Sequence, residues 1–514
     1  VKGMDEEYYL VRPHLKELAK FIIPQRYMAL DEGQQGNRRQ RNEFILDGHA
    51  TRAARTLSAG MLFGATNPTH RWLKLTLSDE GVLANRWLDM AVELVLRLMG
   101  RSNTYNALAA NYLDLGVFGS TVTLLYEDSE TLFRAYTLPA GEYRLAKDSR
   151  GQISYLSREF RMTATQLVER FGVENVSFQV KQAYERTGQN RFQEFDVVHL
   201  IEPNNPPTLP PHFIFRECYW EKGGERDMLL SYAGFYEKPF IAPRWELVGN
   251  NTYGVSPGMD ALPDIIQLQH LTRRTAQGLD KQISPPLVLD QSLRNQPSPL
   301  MPNGVTYVPN AAQAVAKPLY TTQLPYEELQ HNKQELKDAI NGYFYNDLFR
   351  AILNLRTVRS ATEVAEAKAE TLVLLGPVVN RVEDEALRDL VLRVLGIVSR
   401  ADILPPPPPL QGGSLNIEYD SILSAAQKAA GITNIERYMG AVGQVLPVAP
   451  ETRHVTDMGE LLREYGNRLN IPASVQRPRE ETARLIQEER NLAAAQQEAA
   501  IGRDLAAAAG ALAE

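Results

Sequence analysis

Between Ile283 and Pro325 the chain carries eight prolines, and a segment so interrupted cannot hold a long helix. On both sides the pattern is helical, from about Ser256 to Lys281 and from Tyr326 to Arg350. At ~1.5 Å per residue each flank spans roughly 35 Å. The sequence therefore predicts two long helices joined by a stiff, irregular insert that projects from a body.

The rest of the chain must supply that body. Its 514 residues leave room for about three folding units. A composition of 44% hydrophobic and 23% charged residues is that of a chain able to bury a core, which excludes global disorder. From Glu7 to about Gly116 the spacing is helical, with Leu83, Trp87, Met90, Leu94 and Leu98 on one stripe. Arg71 to Leu77 alternates as a short strand would, and the Arg38, Arg39 and Arg41 cluster reads as a solvated face.

From Gly119 to about Val248 the period changes to two. Strands are expected at Thr121–Tyr126, Leu132–Leu138, Ile153–Phe160, Asp196–Ile201, Phe213–Trp220 and Met228–Phe235. A short helix, Thr163 to Phe171, interrupts them, with Thr163 or Thr165 as its cap. From Ala361 to Arg400 the apolar spacing is again helical, and Gly376-Pro377 should kink that helix before Pro405–Pro409 stops it. A strand-like Leu415–Tyr419 follows. Residues 471–514 hold 13 Ala and few large apolar groups, so that tail needs neighbours to bury a face. The fold class is α+β, mainly helical.

Several functions are excluded or disfavoured by chemistry. One cysteine, Cys218, makes no intrachain disulfide or thiolate metal site. No lysine follows a glycine and no glutamate follows a histidine, which removes the phosphate-binding loop and the zinc-protease helix. No cofactor, metal or catalytic residue is expected. The acidic start, with Asp5, Glu6 and Glu7, does not read as a secretory signal, and the charge-free run Asn295–Ala316 is too rich in proline to cross a membrane. An intracellular assembly compartment and no membrane contact are the expectation. A net charge of -7 argues against tight wrapping on phosphate but allows nucleic acid to slide past.

One motif imitates an enzyme. Gly254-Val255-Ser256-Pro257-Gly258 matches the GxSxG pattern of a hydrolase nucleophile elbow. That mechanism needs the backbone N–H of the residue after the serine, and Pro257 has none. Ser256 as helix cap and Pro257 at the first helical position explain the same residues.

With this order of elements in place, three segments carry a family resemblance: Thr137–Gly172, Ala242–Ile265 and Ser360–Val379, the last followed by the proline run from Leu404. The chain resembles the head-to-tail connector, or portal, proteins of short-tailed bacteriophages over roughly residues 5–440. The resemblance implies a ring, usually of twelve subunits, at one capsid vertex, through which double-stranded DNA enters and leaves. It implies a β-rich wing (1–255), a stem of two helices (256–281 and 326–347), a clip (282–325), a tunnel loop (348–360), a long kinked wing helix with its strand (361–420) and a crown with a helical tail (421–514). Implied partners are terminase, the major capsid protein, tail adaptor and internal core proteins, with the chain in the host cytoplasm during assembly and in the virion afterwards. Pro263, inside the first stem helix, departs from expectation and should delay or kink it. A tail adaptor is the rival within virions, and a Ser256 hydrolase the rival outside them. Carried over by position, Asn354, Arg356, Thr357 and Arg359 would face DNA in the tunnel loop, while Lys281, Arg294 and Lys317 would serve docking at the clip.

Overall fold

A computed structural model describes residues 2–26, 30, 44–77, 82–185, 189–224, 228–284, 287–288, 317–318, 324–353, 369–406, 415–419, 421, 423, 432–445 and isolated positions from 457 to 491. The chain divides into two compact units, Val1–Ser424 and Ala425–Glu514. In the second, the described helix is α12 (Ile432–Val445); all other elements belong to the first.

The helical opening is α1 (Lys2–Phe21), α2 (His49–Ala65), α3 (Val82–Arg101) and α4 (Thr104–Phe118). A strand, β1 (Leu73–Leu77), lies between α2 and α3 and pairs antiparallel with β12 (Leu415–Tyr419), so residues some 340 apart in sequence close one ribbon. Trp87 of α3 donates its indole N–H to the Pro405 carbonyl at 2.9 Å, tethering the start of the proline run.

The period-two region builds two antiparallel sheets. One has three strands in the order β3 (Leu132–Leu138), β2 (Val122–Asp128), β9 (Phe240–Ile241). The other is a five-stranded meander, β4 (Tyr143–Lys147), β5 (Ile153–Thr163), β6 (Glu194–Pro203), β7 (Phe215–Glu221) and β8 (Ser231–Phe235). Val122, Leu124, Leu138 and Phe240 from the first meet Leu145, Leu156, Ile201 and Phe215 from the second in one core. A second core packs Met162, Val197 and Tyr219 under α5 (Ala164–Phe171) and α6 (Phe178–Glu185). Thr163 caps α5 with a full capping box, its hydroxyl accepting from the Gln166 N–H. Between the two cores His199 stacks flat on Tyr219 at 4.0 Å and meets Glu217 at 3.1 Å. Burial holds this histidine below its usual pKa, against the pull of Glu217.

After β9 come α7 (Pro257–Ile283), a two-residue pairing of β10 (Leu287–Val288) with β11 (Lys317–Pro318), then α8 (Tyr326–Tyr343) and α9 (Asn346–Leu353). The expected second long helix thus ends earlier than its periodicity suggests. Tyr345 adopts φ 52°, and α9 sets off separately. Residues 348–353, expected in a loop, are helical because Leu348, Phe349 and Ile352 are buried; Phe349 fits against α2 where Gly60 has no side chain. The remaining 354–360 lie outside the described residues.

The last long helix runs as α10 (Ala369–Val382) and α11 (Arg388–Arg400). It continues through Pro377, and its irregularity falls at the π-helical turn Glu383–Leu387. That wider turn delivers Glu385 to the buried Arg244, whose Nη2 donates at 2.6 Å, Nε at 3.1 Å and backbone N at 3.0 Å. Removing one partner from such a buried pair costs about 3–5 kcal/mol. Further along, Glu237 accepts from Arg393 at 2.7 Å and from Arg400 at 2.5 Å, binding α11 to the sheets.

A second buried ion pair has the opposite consequence. Asp114 of α4 is 1% exposed and accepts from Arg26 at 3.1 Å, while its other oxygen has no partner. Burial pushes its pKa up to about 7 despite Arg26. The folded state therefore binds a proton that the unfolded state has released, and this group's stabilisation, full below about pH 4, is lost as pH rises toward 7. Asp114→Asn should remove from the unfolding free energy a decline of up to about 1.4 kcal/mol per pH unit between pH 4 and 7. Denaturant titrations of both proteins across that range check this; identical slopes would contradict it.

Candidate functional site

The pair α7 and α8 is exposed along the half away from its base, and its mounting follows from a few residues. Ser256 takes an extended backbone (φ −130°, ψ 158°) and caps α7, accepting from the Met259 N–H at 3.2 Å. Its hydroxyl donates to the Val117 carbonyl at 2.7 Å. Pro257 occupies the first helical turn, where a missing N–H costs nothing. The hydroxyl of Ser256 is thus buried and engaged both as donor and as acceptor, which is the work of a cap and not of a poised nucleophile. Pro263 lies inside α7 without delaying it, since the helix already starts at Pro257.

The glycines of the GxSxG motif have their own explanation. Gly119, at φ 75°, ends α4, and a side chain there would collide with the Gly254 carbonyl. A side chain at Gly254 would collide in turn with the Gly119 carbonyl, and one at Gly258 would come within 2.8 Å of the Val117 oxygen. The end of α4 and the start of α7 meet backbone to backbone. Trp245 N–H to Gly119 O (2.9 Å) and Gly254 N–H to Ser120 Oγ (2.8 Å) complete the junction.

About three turns further along α7, the base of the pair is stapled to the segment before α2. Gln269 of α7 accepts from the Leu46 and Asp47 N–H groups at 2.7 and 2.9 Å and donates to the Asp47 carbonyl at 2.8 Å. Lys337 of α8 pairs with the Asp47 carboxylate at 2.9 Å. Burial raises the Asp47 pKa, but the Lys337 ammonium and the His49 N–H outweigh it and hold the carboxyl below its usual range. His49 Nε2 lies 3.2 Å from the Lys337 carbonyl and 3.0 Å from Asn341 Oδ1, so it donates to both. Burial keeps His49 below its usual pKa, which favours the neutral ring.

Beyond this hub the pair is bare. The described residues from Arg273 to Ser284, apart from Thr275 and Gly278, are exposed, as are most of Tyr326 to Ala339. Ile283 is 78% exposed, a large apolar side chain with no cover.

Of the residues expected at the site, Ser256 and Pro257 are placed as above, and Lys281 is exposed near the end of α7. Lys317 lies in β11. Arg294, Asn354, Arg356, Thr357 and Arg359 lie outside the described residues. Sequence reasoning missed the Gln269–Asp47–Lys337–His49 hub, because its members are scattered polar residues with no spacing signal. Among the described residues no group of His, Cys, Asp or Glu could hold a metal, and no helix is long and apolar enough to cross a membrane.

A family model described as bacteriophage head to tail connecting protein matches residues 1–476. The probable portal protein of Bordetella phage BPP-1 is 34% identical over 510 residues, covering 96% of this chain and 91% of its own. The portal protein of Salmonella phage epsilon15 is 35% identical over 515 residues, covering 98% and 92%. Among solved structures, the virion of a native gene transfer agent particle is similar at TM-score 0.37 and 13% identity, covering 77% of this chain and 86% of that chain. The neck of an empty gene transfer agent particle gives 0.40 and 12%, covering 77% and 87%.

The junction makes a sharp demand. Gly254→Ala drives a methyl group into the Gly119 carbonyl and should destabilise by about 2–3 kcal/mol, as overpacking does. Ser256→Ala should cost about 1–2 kcal/mol, for the lost cap. Equilibrium unfolding ranks the two; a neutral Gly254→Ala would contradict the geometry.

Proposed function

The chain belongs to the family of bacteriophage head to tail connecting proteins, and from that premise we propose how its parts work. It is a portal protein, the connector between phage head and tail. The proposed working form is a closed ring, usually of twelve copies in such proteins, at one capsid vertex, with double-stranded DNA passing along its axis during packaging and ejection. The body and the α10–α11 helix form the wing. Helices α7 and α8 form the stem, residues 282–325 the clip, 354–360 the tunnel loop and 421–514 the crown and tail.

The observation that carries the ring is the helical pair itself. It is firmly mounted at its base and bare along its outer half, and two helices alone bury too little to hold such a projection. Neighbouring copies supply the missing surface. Its role is geometric: the clip, with Lys281, Arg294 and Lys317, docks terminase during packaging and the tail adaptor afterwards, while the wing meets the major capsid protein and internal core proteins. ATP hydrolysis belongs to the motor, and this chain needs no cofactor. Assembly takes place in the host cytoplasm and ends in the virion.

Two outcomes follow. Purified protein should form closed rings in EDTA without ATP or nucleic acid, as read by mass measurement; monomers released by chelation would contradict this. In the tunnel loop, Arg356 and Arg359 meet phosphates without reading sequence. Replacing both by Ala should leave the ring intact and weaken retention of packaged DNA, most of all at low salt, where the native contacts are strongest. Retention equal to wild type at every salt concentration would remove the phosphate-holding role of these arginines.

A further inference from the structure

The outer faces of the two stem helices carry opposite charge. On α7 the residues turned inward are Leu268, Thr275 and Gly278, and Gly278 backs directly on Leu324 just before α8. At 3.6 residues per turn His270, Arg273, Arg274 and Gln277 fall on the other side, and all four are exposed. Lys281 continues this face toward the tip, with Asp280 at its border.

On α8 the inward line is Leu329, Leu336 and the buried Ile340. The opposite face presents Glu327, Glu328, Glu335 and Asp338, all exposed. Its lone basic group is His331, which lies 3.2 Å from Glu335. The helix's two lysines do not dilute it: Lys333 is half-buried on the inward side and Lys337 is bound to Asp47.

The two faces also match in height. The pair is antiparallel, with Gly278 level with Leu324 and Gln269 meeting Lys337 at Asp47. Arg273 and Arg274 therefore sit about midway between the levels of Glu328 and Glu335, which are two turns apart on one line of α8. Among the described residues Arg273, Arg274, Glu327 and Glu328 have no ion-pair partner within the chain. A basic face and an acidic face at equal height on the two sides of one projecting hairpin fit each other in the next copy.

We propose that the Arg273/Arg274 face of α7 in one subunit docks on the Glu328/Glu335 face of α8 in its neighbour, which deepens the ring reading and rests on it. Such a contact is head-to-tail, so each subunit uses one face on either side and a closing rotation makes a ring. Exposed pairs are individually weak, and what they contribute here is register and the exclusion of wrong pairings. DNA is the other polyanion that could meet these arginines. The carboxylate stripe at the same height on the adjacent helix favours a protein partner, because it would repel phosphate.

Charge reversal with rescue tests this. Full-length Arg273→Glu/Arg274→Glu and Glu328→Lys/Glu335→Lys are prepared singly and combined, with circular dichroism to establish that each folds. Each single reversal places like charges together and should raise the concentration for half-assembly at least tenfold; the combined chain, with charges swapped at every interface, should return to within about threefold of wild type. Two reversals that assemble as wild type, or a combined chain that fails to recover, overturn the pairing. So does an arginine reversal that leaves the ring intact and lowers DNA retention, since the face would then line the channel. A wild-type chain that never assembles overturns the ring reading and this pairing with it, whereas a wild-type ring indifferent to both reversals overturns the pairing alone.

Discussion

The backbone contact between Gly119 and Gly254 decides where the helical pair can stand. Side chains at either position would fill the space that the other's carbonyl occupies, so α4 can deliver its end directly to the start of α7. Ser256 then ties the two helices through one hydroxyl, accepting from Met259 and donating to Val117. A projecting element transmits force only if its root is stiff. Here the root consists of close backbone contact, a satisfied cap and the Gln269–Asp47–Lys337 staple, none of which has a long flexible linker in series.

The same logic of short, buried connections governs the long helix across the body. The π turn at Glu383–Leu387 sets Glu385 against Arg244, a residue only ten positions before Gly254. Arg381 adds a hydrogen bond to the Trp245 carbonyl at 3.2 Å. The segment 244–258 is thus gripped from two sides, by α4 through the glycines and by α10–α11 through the ion pair. The segment on which the helical pair is mounted is thereby tied to the helix that the proposed reading assigns to the wing.

Much of this was legible in the residues. Alternation located β3 at Leu132–Leu138, because a half-buried antiparallel strand must alternate. Ser256-Pro257 reads as a helix start because cap chemistry is local. What sequence could not give were features decided by distant partners. The break at Tyr345 and the helix α9 depend on Phe349 finding the gap at Gly60, nearly 290 residues earlier. Pro377 promised a kink, yet the irregularity sits at Glu383–Leu387, beside the Arg244 that receives it. The opposed charges of α7 and α8 were visible as letters, but only the helix bounds and the height match turn them into two faces.

On this account the inner part of the helical pair is folded into each subunit, and the outer part is completed by neighbours. Hydrogen exchange followed through assembly measures that division directly. Amides of residues 260–269 should be protected before and after assembly, whereas those of 273–283 and 330–335 should exchange fast in the free subunit and slow by at least tenfold in the ring. An outer half already protected in the free subunit, or still unprotected in the ring, would contradict the account.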